Sequence, residues 1–174
     1  MNLQKKLPIA VIGAGGHALS VITTLQETGY QIGGLFDDDL SKVGKSRLGC
    51  RVLGRPETVY EHGFYRAVLA IGDNRTRREM VRRLPDLAWL TLIHPQAYVH
   101  PSARIGVGTQ VMLDAVIRPS AVVGCHTIIN TKAVVGHECR VGDYAHIAGS
   151  VHMGGDSVVE DGAMICLGTM IVPA

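Results

Sequence analysis

A chain of 174 residues with 47% hydrophobic and 18% charged side chains has room for one large domain or two small ones, and it is too apolar to be a disordered tail. Seventeen Lys and Arg stand against fifteen Asp and Glu, so the net charge of +2 gives no general reason to expect nucleic acid or an anionic membrane as partner. No apolar run approaches the roughly 18 to 20 residues that span a bilayer. MNLQKKLPIAVIGAGG lacks the apolar region and cleavage site of a signal peptide, because its apolar stretch runs straight into glycines. Cys50, Cys125, Cys139 and Cys166 show neither CxxC pairing nor close metal-ligand spacing, as expected of a reduced cytoplasmic protein.

From the N-terminus, Pro8–Ile12 is a short apolar run ending in glycines and reads as a buried strand. His17 to Thr28 carries Ala18, Val21, Ile22 and Leu25 on one face, a helix stopped by Gly29. Gln31–Phe36 and Arg51–Leu53 read as strands, and Glu57–His62 as a short helix introduced by Pro56. Arg66–Ile71 is a further buried strand, Arg75–Leu84 a charged helix and Trp89–Ile93 a last strand. Such alternation predicts a parallel sheet covered by helices, and about 90 residues supply one mononucleotide-binding half rather than two.

Beyond residue 100 the grammar changes. Only Tyr144 of the eight aromatics lies there, and charge moves from 13 basic and 9 acidic residues in 1–100 to 4 and 6 in 101–174. Two domains are therefore expected, residues 1–94 and 95–174, meeting in the stretch HPQAYVHP. Divided into sixes from Ala103, the second half has an aliphatic residue at all twelve third positions, from Ile105 to Ile171. Two places earlier the residue is always small or β-branched. An α-helix, with its period of 3.6, cannot keep a strict six-residue repeat on one face. A solenoid of short parallel strands can, with each aliphatic side chain pointing into the axis.

The repeated [aliphatic]-Gly-x-x-[small]-x pattern resembles the hexapeptide repeat of the left-handed β-helix acyltransferases, in which three hexads make one coil. The resemblance narrows with Gly13-Ala14-Gly15-Gly16-His17-Ala18, Gly33-Gly34-Leu35-Phe36-Asp37-Asp38, Ala70-Ile71-Gly72-Asp73-Asn74-Arg75, Leu92-Ile93-His94-Pro95 and Gly136-His137-Glu138-Cys139, in that order. Together these resemble bacterial sugar acetyltransferases of the sialic-acid O-acetyltransferase (NeuD) type, which include N-acetyltransferases acting on nucleotide-linked 4-amino-4,6-dideoxy sugars. The resemblance implies an α/β fold, a Rossmann-like N-terminal half followed by a left-handed parallel β-helix. It implies acetyl-CoA as co-substrate, a nucleotide sugar as acceptor, a homotrimer and a place in cytoplasmic glycan biosynthesis. Two other readings stay open: O-acetylation of a sialic acid or other sugar, and a non-catalytic nucleotide-sugar-binding scaffold. Members of the family continue for another coil or more past the hexad ending at Ala174, and part of the CoA cleft comes from there.

The glycine loop has its own physics. Gly13, Gly15 and Gly16 remove Cβ atoms where a strand becomes a helix, so backbone N–H groups and the helix dipole can meet a phosphate. Gly13-x-Gly15-x-x-Ala18 also satisfies the dinucleotide fingerprint, with Asp37 near the ribose-binding position, but the chain has no room for a second mononucleotide half. Close helix–sheet packing is the third reading of the same glycines. The resemblance places Gly15, Gly16 and His17 along phosphates and sugar, Asp37 and Asp38 on the nucleoside, and Gly72 where the base nears the backbone. Residues 37–39 are equally a solvated acidic loop. Arg75, at a helix start beside Gly72, is a candidate phosphate donor, whereas Arg77, Arg78, Arg82 and Arg83 read as a solvated helix face.

Of eight histidines, His62, His94 and His100 stand near turns or the linker and read as structural; His126 and His152 have no partner at a recognisable spacing. His137 lies two residues past inward Val135 and beyond a turn-forming glycine, so it projects from a corner, with Glu138 next to it. Imidazole, with a pKa near 6.5, is a usable base at neutral pH, but contact between adjacent residues requires the corner turn. The resemblance makes His137 the general base and Glu138 its electrostatic support, with His146 and Leu167 on acetyl-CoA. His126, His137, His146 and His152 are spaced 11, 9 and 6 apart, which does not reproduce the short His-x4-His element of the β-helix carbonic anhydrases, and no metal is expected. Cys139 occupies a small inward position and reads as a packing residue.

Overall fold

The computed structural model describes residues 7–172. The chain divides into two units, one up to Leu90 and one from Thr91. In the first, β1 (Ile9–Ile12), β2 (Ile32–Phe36), β3 (Ser46–Arg47), β4 (Cys50–Gly54), β5 (Arg66–Leu69) and β6 (Ala88–Trp89) form a sheet in the order β3-β4-β2-β1-β5-β6. All pairings are parallel except the β3–β4 hairpin, which the sequence pattern did not reveal. The uniformly apolar β1 is completely buried at the centre, as a strand covered on both faces must be. Two helices accompany the sheet, α1 (Gly16–Glu27) and α2 (Asn74–Arg83). The α1 face of Ala18, Val21, Ile22 and Leu25 is fully buried, as its spacing predicts. The segment after Pro56 is a single 3-10 turn, Pro56–Val59. Because β2 and β5 flank β1 on opposite sides, the chain leaves the sheet centre in two directions, and a crevice opens at the carboxyl ends of these strands.

The second unit is built from fourteen two-residue strands, from Leu92–Ile93 to Met170–Ile171, stacked in three parallel sheets of five, five and four. Partners within a sheet lie eighteen residues apart, for example Val111 with Ile129 and Ile129 with Ile147, so three hexads close one coil. The repeat starts two strands earlier than Ala103. Leu92–Ile93 pairs with Gln110–Val111 and Tyr98–Val99 with Val116–Ile117. The expected strand Trp89–Ile93 is therefore two strands belonging to different sheets, and the units part at Leu90/Thr91 rather than at residue 94. Residue-by-residue hydrophobicity cannot separate them, because both halves of that segment are apolar.

The interior is the column of third-position aliphatics and first-position small residues. Val111, Ile117, Ile129, Val135 and Ile147 are fully buried, as are Ala115, Ala121, Ala133, Cys139 and Ala145. Buried Thr109 and Thr127 satisfy themselves against the stack, donating from their hydroxyls to Gly124 O (2.6 Å) and Gly142 O (2.7 Å). Cys139 Sγ packs likewise against Gly154 O at 3.0 Å, and burial raises its thiol pKa, consistent with a packing role.

Each coil turns its corners by one device. At every sixth position from Gly108 to Gly168 the backbone has φ between +52° and +71°, and eight of these eleven residues are not glycine. Left-handed backbone costs an L-residue about 1–2 kcal/mol. Here the amide of the corner residue donates to the coil before it, as in Lys132 N to Leu113 O, Glu138 N to Pro119 O and Asp156 N to His137 O, all 2.9–3.0 Å. Among the described residues, no helix is long and apolar enough to cross a membrane.

The narrow interior leaves no volume for growth. Ala133→Leu is expected to lower unfolding free energy by about 1–3 kcal/mol through overpacking. Arg140→Leu, on the exposed outer face, is expected to change it by less than about 0.5 kcal/mol. Urea denaturation of the two variants checks both values.

Candidate functional site

In the first unit, a cleft of about 300 Å³ lies at the strand ends. Gly13, Gly15, Gly16 and His17 line one part of it, Asp37 and Asp38 another, and Ile71, Gly72 and Asp73 a third; Phe36, Pro56 and Met80 add an apolar surface. Six of the seven substrate-binding candidates thus share one concavity. Gly13 adopts φ +110°, and a Cβ there would sit 2.8 Å from Ala70 O, so only glycine lets the two loops touch. Gly15 is the N-cap of α1 and offers no side-chain acceptor, so the N-terminus of a twelve-residue helix faces the cleft without a capping side chain from that residue.

Arg75 falls outside this set. It is absent from the cleft lining, and its exposed side chain pairs with Glu79 one turn on, at 3.1 Å. Arg77 reverses its expectation too. It is completely buried, because its position on α2 faces the sheet, and it donates to backbone carbonyls rather than to water. Asp37 is 9% exposed and committed to the chain: Oδ2 accepts from Ala14 N–H (2.7 Å), and Oδ1 from Asp39 N–H (2.9 Å) and Lys42 Nζ (3.0 Å). It braces the glycine loop. Asp38 accepts two bonds from Arg83 (2.7 and 2.8 Å), which hold its carboxyl below the usual range and raise the pKa of Arg83; Arg83 also grips Glu57.

In the second unit, His137 and Glu138 form the corner after Val134–Val135. Glu138 is a left-handed residue (φ +60°), and this turn swings its carboxylate back onto its neighbour: His137 Nδ1 to Glu138 Oε2 is 2.9 Å. Gly155 lies eighteen residues on, one coil further along the stack, and a Cβ there would collide with His137 Nε2 and Cε1. Next to it, Asp156 brings a second carboxylate: one ligand atom each from His137, Glu138 and Asp156 lie within 4.8 Å of one another. This exposed set holds a single imidazole, unlike a three-histidine zinc site. Gly155 and Asp156 escaped the sequence reading, although adding one coil of eighteen residues to His137 and Glu138 points to both. His146 is buried in its strand with Nε2 3.1 Å from Asn130 Nδ2, and Leu167 is 79% exposed beside Gly149.

Four further histidines, His62, His94, His100 and His126, make local structural contacts. His94 and His100 accept from the amides two residues on, Gln96 and Ser102, each at 3.1 Å. His62 packs edge-on against Phe36, and buried His126 stacks on Tyr144 with ring centroids 5.2 Å apart. The bracing role of Asp37 is testable. Asp37→Ala leaves the buried Ala14 amide without its carboxylate, and a loss of about 1–3 kcal/mol is expected in chemical denaturation without any ligand present.

Comparison with known proteins adds to this geometry. The PglD N-terminal domain family matches residues 8–84. Among solved structures, the chain is similar to the acetyltransferase domain of PglB from Neisseria gonorrhoeae in complex with acetyl coenzyme A, with TM-score 0.81 and 28% identity, covering 95% of this chain and 92% of that one. It is also similar to a mutant of perosamine N-acetyltransferase from Caulobacter crescentus in complex with CoA and GDP-perosamine, with TM-score 0.75 and 29% identity over 97% of this chain and 94% of that one. An uncharacterized protein of Acanthamoeba polyphaga mimivirus is 32% identical over 105 residues, 60% of this chain; the match spans only 21% of that relative's length. The N-terminal match, the stacked hexads and the near-complete overlap with these structures agree: residues 8–84 are a PglD-type N-terminal domain, and the chain has the fold of these sugar acetyltransferases, a Rossmann-like half followed by a left-handed β-helix.

Proposed function

We propose that the chain transfers acetyl from acetyl-CoA to the amino group of a nucleotide-linked amino sugar of the 4-amino-4,6-dideoxy type. The observation that carries the reading is the His137–Glu138 pair, held at 2.9 Å by a β-helix corner. A carboxylate on Nδ1 fixes the tautomer whose proton sits there, which leaves Nε2 as the acceptor. The missing Cβ at Gly155 keeps room around that atom. In the proposed reaction the sugar amine attacks the thioester carbonyl directly. Nε2 takes the amine proton as the C–N bond forms, the tetrahedral intermediate collapses, and the C–S bond breaks to release CoA, whose sulfur is the final proton acceptor. No covalent enzyme intermediate is required. Most of the acceleration comes from holding both substrates together, and the base adds about 10²- to 10⁴-fold.

The nucleotide end of the acceptor is assigned to the N-terminal cleft, with its phosphates at the Gly15–Gly16–His17 end, at the positive end of the α1 dipole. Asp38, exposed at the cleft although held by Arg83, is the nearer candidate for a ribose contact, since Asp37 is buried against the glycine loop. His146 is assigned to acetyl-CoA; Asn130 fixes its ring orientation. Leu167, exposed on the corner beside Gly149, is assigned to the same co-substrate. The reading includes a homotrimer and a cytoplasmic location, where acetyl-CoA and nucleotide sugars are made.

Incubation with acetyl-CoA and a panel of UDP-, GDP- and dTDP-linked amino sugars, alongside free sialic acids, tests the assignment by CoA release. Release with an amino sugar and its N-acetyl product supports it. Release only with sialic acid moves the chemistry to oxygen, and no release across the panel removes the proposed activity. His137→Ala is expected to lower turnover by about 10²- to 10⁴-fold with the circular dichroism spectrum unchanged. Gly155→Ala is expected to lower turnover as well, by displacing the imidazole; wild-type rates in either variant would take the base role from His137.

A further inference from the structure

We propose that Asp156 is a specificity-determining residue, whose carboxylate holds the positively charged nitrogen of an amino-sugar acceptor beside His137 and so directs acetyl transfer to nitrogen over oxygen. The inference rests on the reaction proposed above. Asp156 reaches the His137–Glu138 pair from the following coil, with one ligand atom from each of the three residues within 4.8 Å of the others. Gly155 puts no side chain between the imidazole and the coil that carries Asp156. Glu138 already spends one oxygen on His137 Nδ1, at 2.9 Å. The Asp156 side chain enters no hydrogen bond or ion pair among the described residues. Asp156 also makes a corner, at φ +61°, a conformation that Asp and Asn accept more readily than most residues. Its corner column runs Ser120, Glu138, Asp156, one residue per coil, while the other two columns of positive-φ corners contain a single acidic residue, Asp114. Corner geometry asks for tolerance of left-handed backbone, which serine, lysine and tyrosine meet elsewhere; it does not ask for carboxylates on successive coils. Like charges this close repel, and a cation between them relieves the repulsion.

The acceptor supplies that cation. An alkyl amine is mostly ammonium at neutral pH, and it sheds one proton to water to become nucleophilic. Its nitrogen becomes positive again as the lone pair closes on the thioester carbonyl carbon: the C–N bond forms and the carbonyl π pair moves to oxygen. His137 Nε2 then takes the second proton, the C–S bond breaks, and that proton ends on the sulfur of CoA. Positive charge therefore stands beside Glu138 and Asp156 through the whole sequence, first on the nitrogen and then on the imidazolium. A carboxylate fixed where such charge develops stabilises the transition state, and more so once both substrates have displaced water. A hydroxyl acceptor binds uncharged and gains nothing from a second carboxylate on arrival.

The test is isothermal titration of the full chain with UDP-, GDP- and dTDP-linked 4-amino-4,6-dideoxy sugars and their 4-hydroxy counterparts, in the wild type and Asp156→Asn. Asparagine keeps the corner and the shape and removes only the charge; thermal melts serve as fold controls. The wild type is expected to bind the amino form at least threefold more tightly than the hydroxy form of the same nucleotide sugar, the scale of an exposed ion pair. Asp156→Asn should weaken the amino form, leave the hydroxy form unchanged and so erase the preference. With acetyl-CoA present, kcat/KM for the amino sugar should fall at least tenfold in Asp156→Asn while KM for acetyl-CoA holds. An unchanged amino-sugar kcat/KM, an equal loss of affinity for both forms, or a wild type without the preference overturns the role of Asp156. Should Asp156→Asn fail to fold, Asp156→Ser, which places at this corner the residue found at Ser120 and Ser150, carries the same comparison. A wild type that binds the sugars yet releases no CoA with any amino form fails earlier, at the proposed reaction, and takes this inference with it.

Discussion

The corner of the β-helix is the element on which the second unit depends. Every sixth residue must take a left-handed backbone so that three short strands close a coil, and that conformation is unfavourable for eight of the eleven residues that adopt it. From His126 to Gly168 the amide turned outward by the left-handed step reaches the carbonyl nineteen residues earlier, so these corners are held by the coil already laid down. Aliphatic side chains in the axis and hydrogen bonds along the flat sides then repeat without change. Stability of this kind is shared between neighbours rather than concentrated in one core.

The proposed catalytic pair is a by-product of the same device. On a flat strand, adjacent side chains project to opposite faces, and His137 could not meet Glu138. Placing Glu138 at the left-handed position folds its carboxylate back to within 2.9 Å of His137. The next coil supplies Gly155, whose lack of a side chain leaves space for the ring, and Asp156, whose carboxylate joins the group. The scaffold repeat thus gathers the proposed site from residues at four positions in two successive coils. The fold needs no local exception to hold them.

The cleft of the first unit is built on a different economy, that of hydrogen bonds inside a loop. The glycines that open the cleft also leave a backbone with few side chains to hold it, and Asp37 fills that gap by accepting from Ala14. Arg77 does the corresponding work on the opposite wall through the Ile71 and Gly72 carbonyls. Both are charged residues spent on backbone order, and both look like ligand contacts or surface charge when only their type and position are known.

Local pattern carried much of this far. The period of six disclosed the solenoid and its lining, because a residue's place in the axis depends only on its number modulo six. The buried strand Ile9–Ile12, the α1 face and the glycine loop were readable for a similar reason: each is set by residues within one turn or strand. What the linear order could not express was where a side chain ends up once distant segments meet. Arg75 and Arg77 differ by two places on one helix, yet one pairs with Glu79 in solvent and the other lies under the cleft wall. Trp89 and Leu92 sit in one apolar run but pair in different sheets. Such outcomes follow from which backbone comes to lie alongside, a matter of three-dimensional register, and only the folded chain decides it.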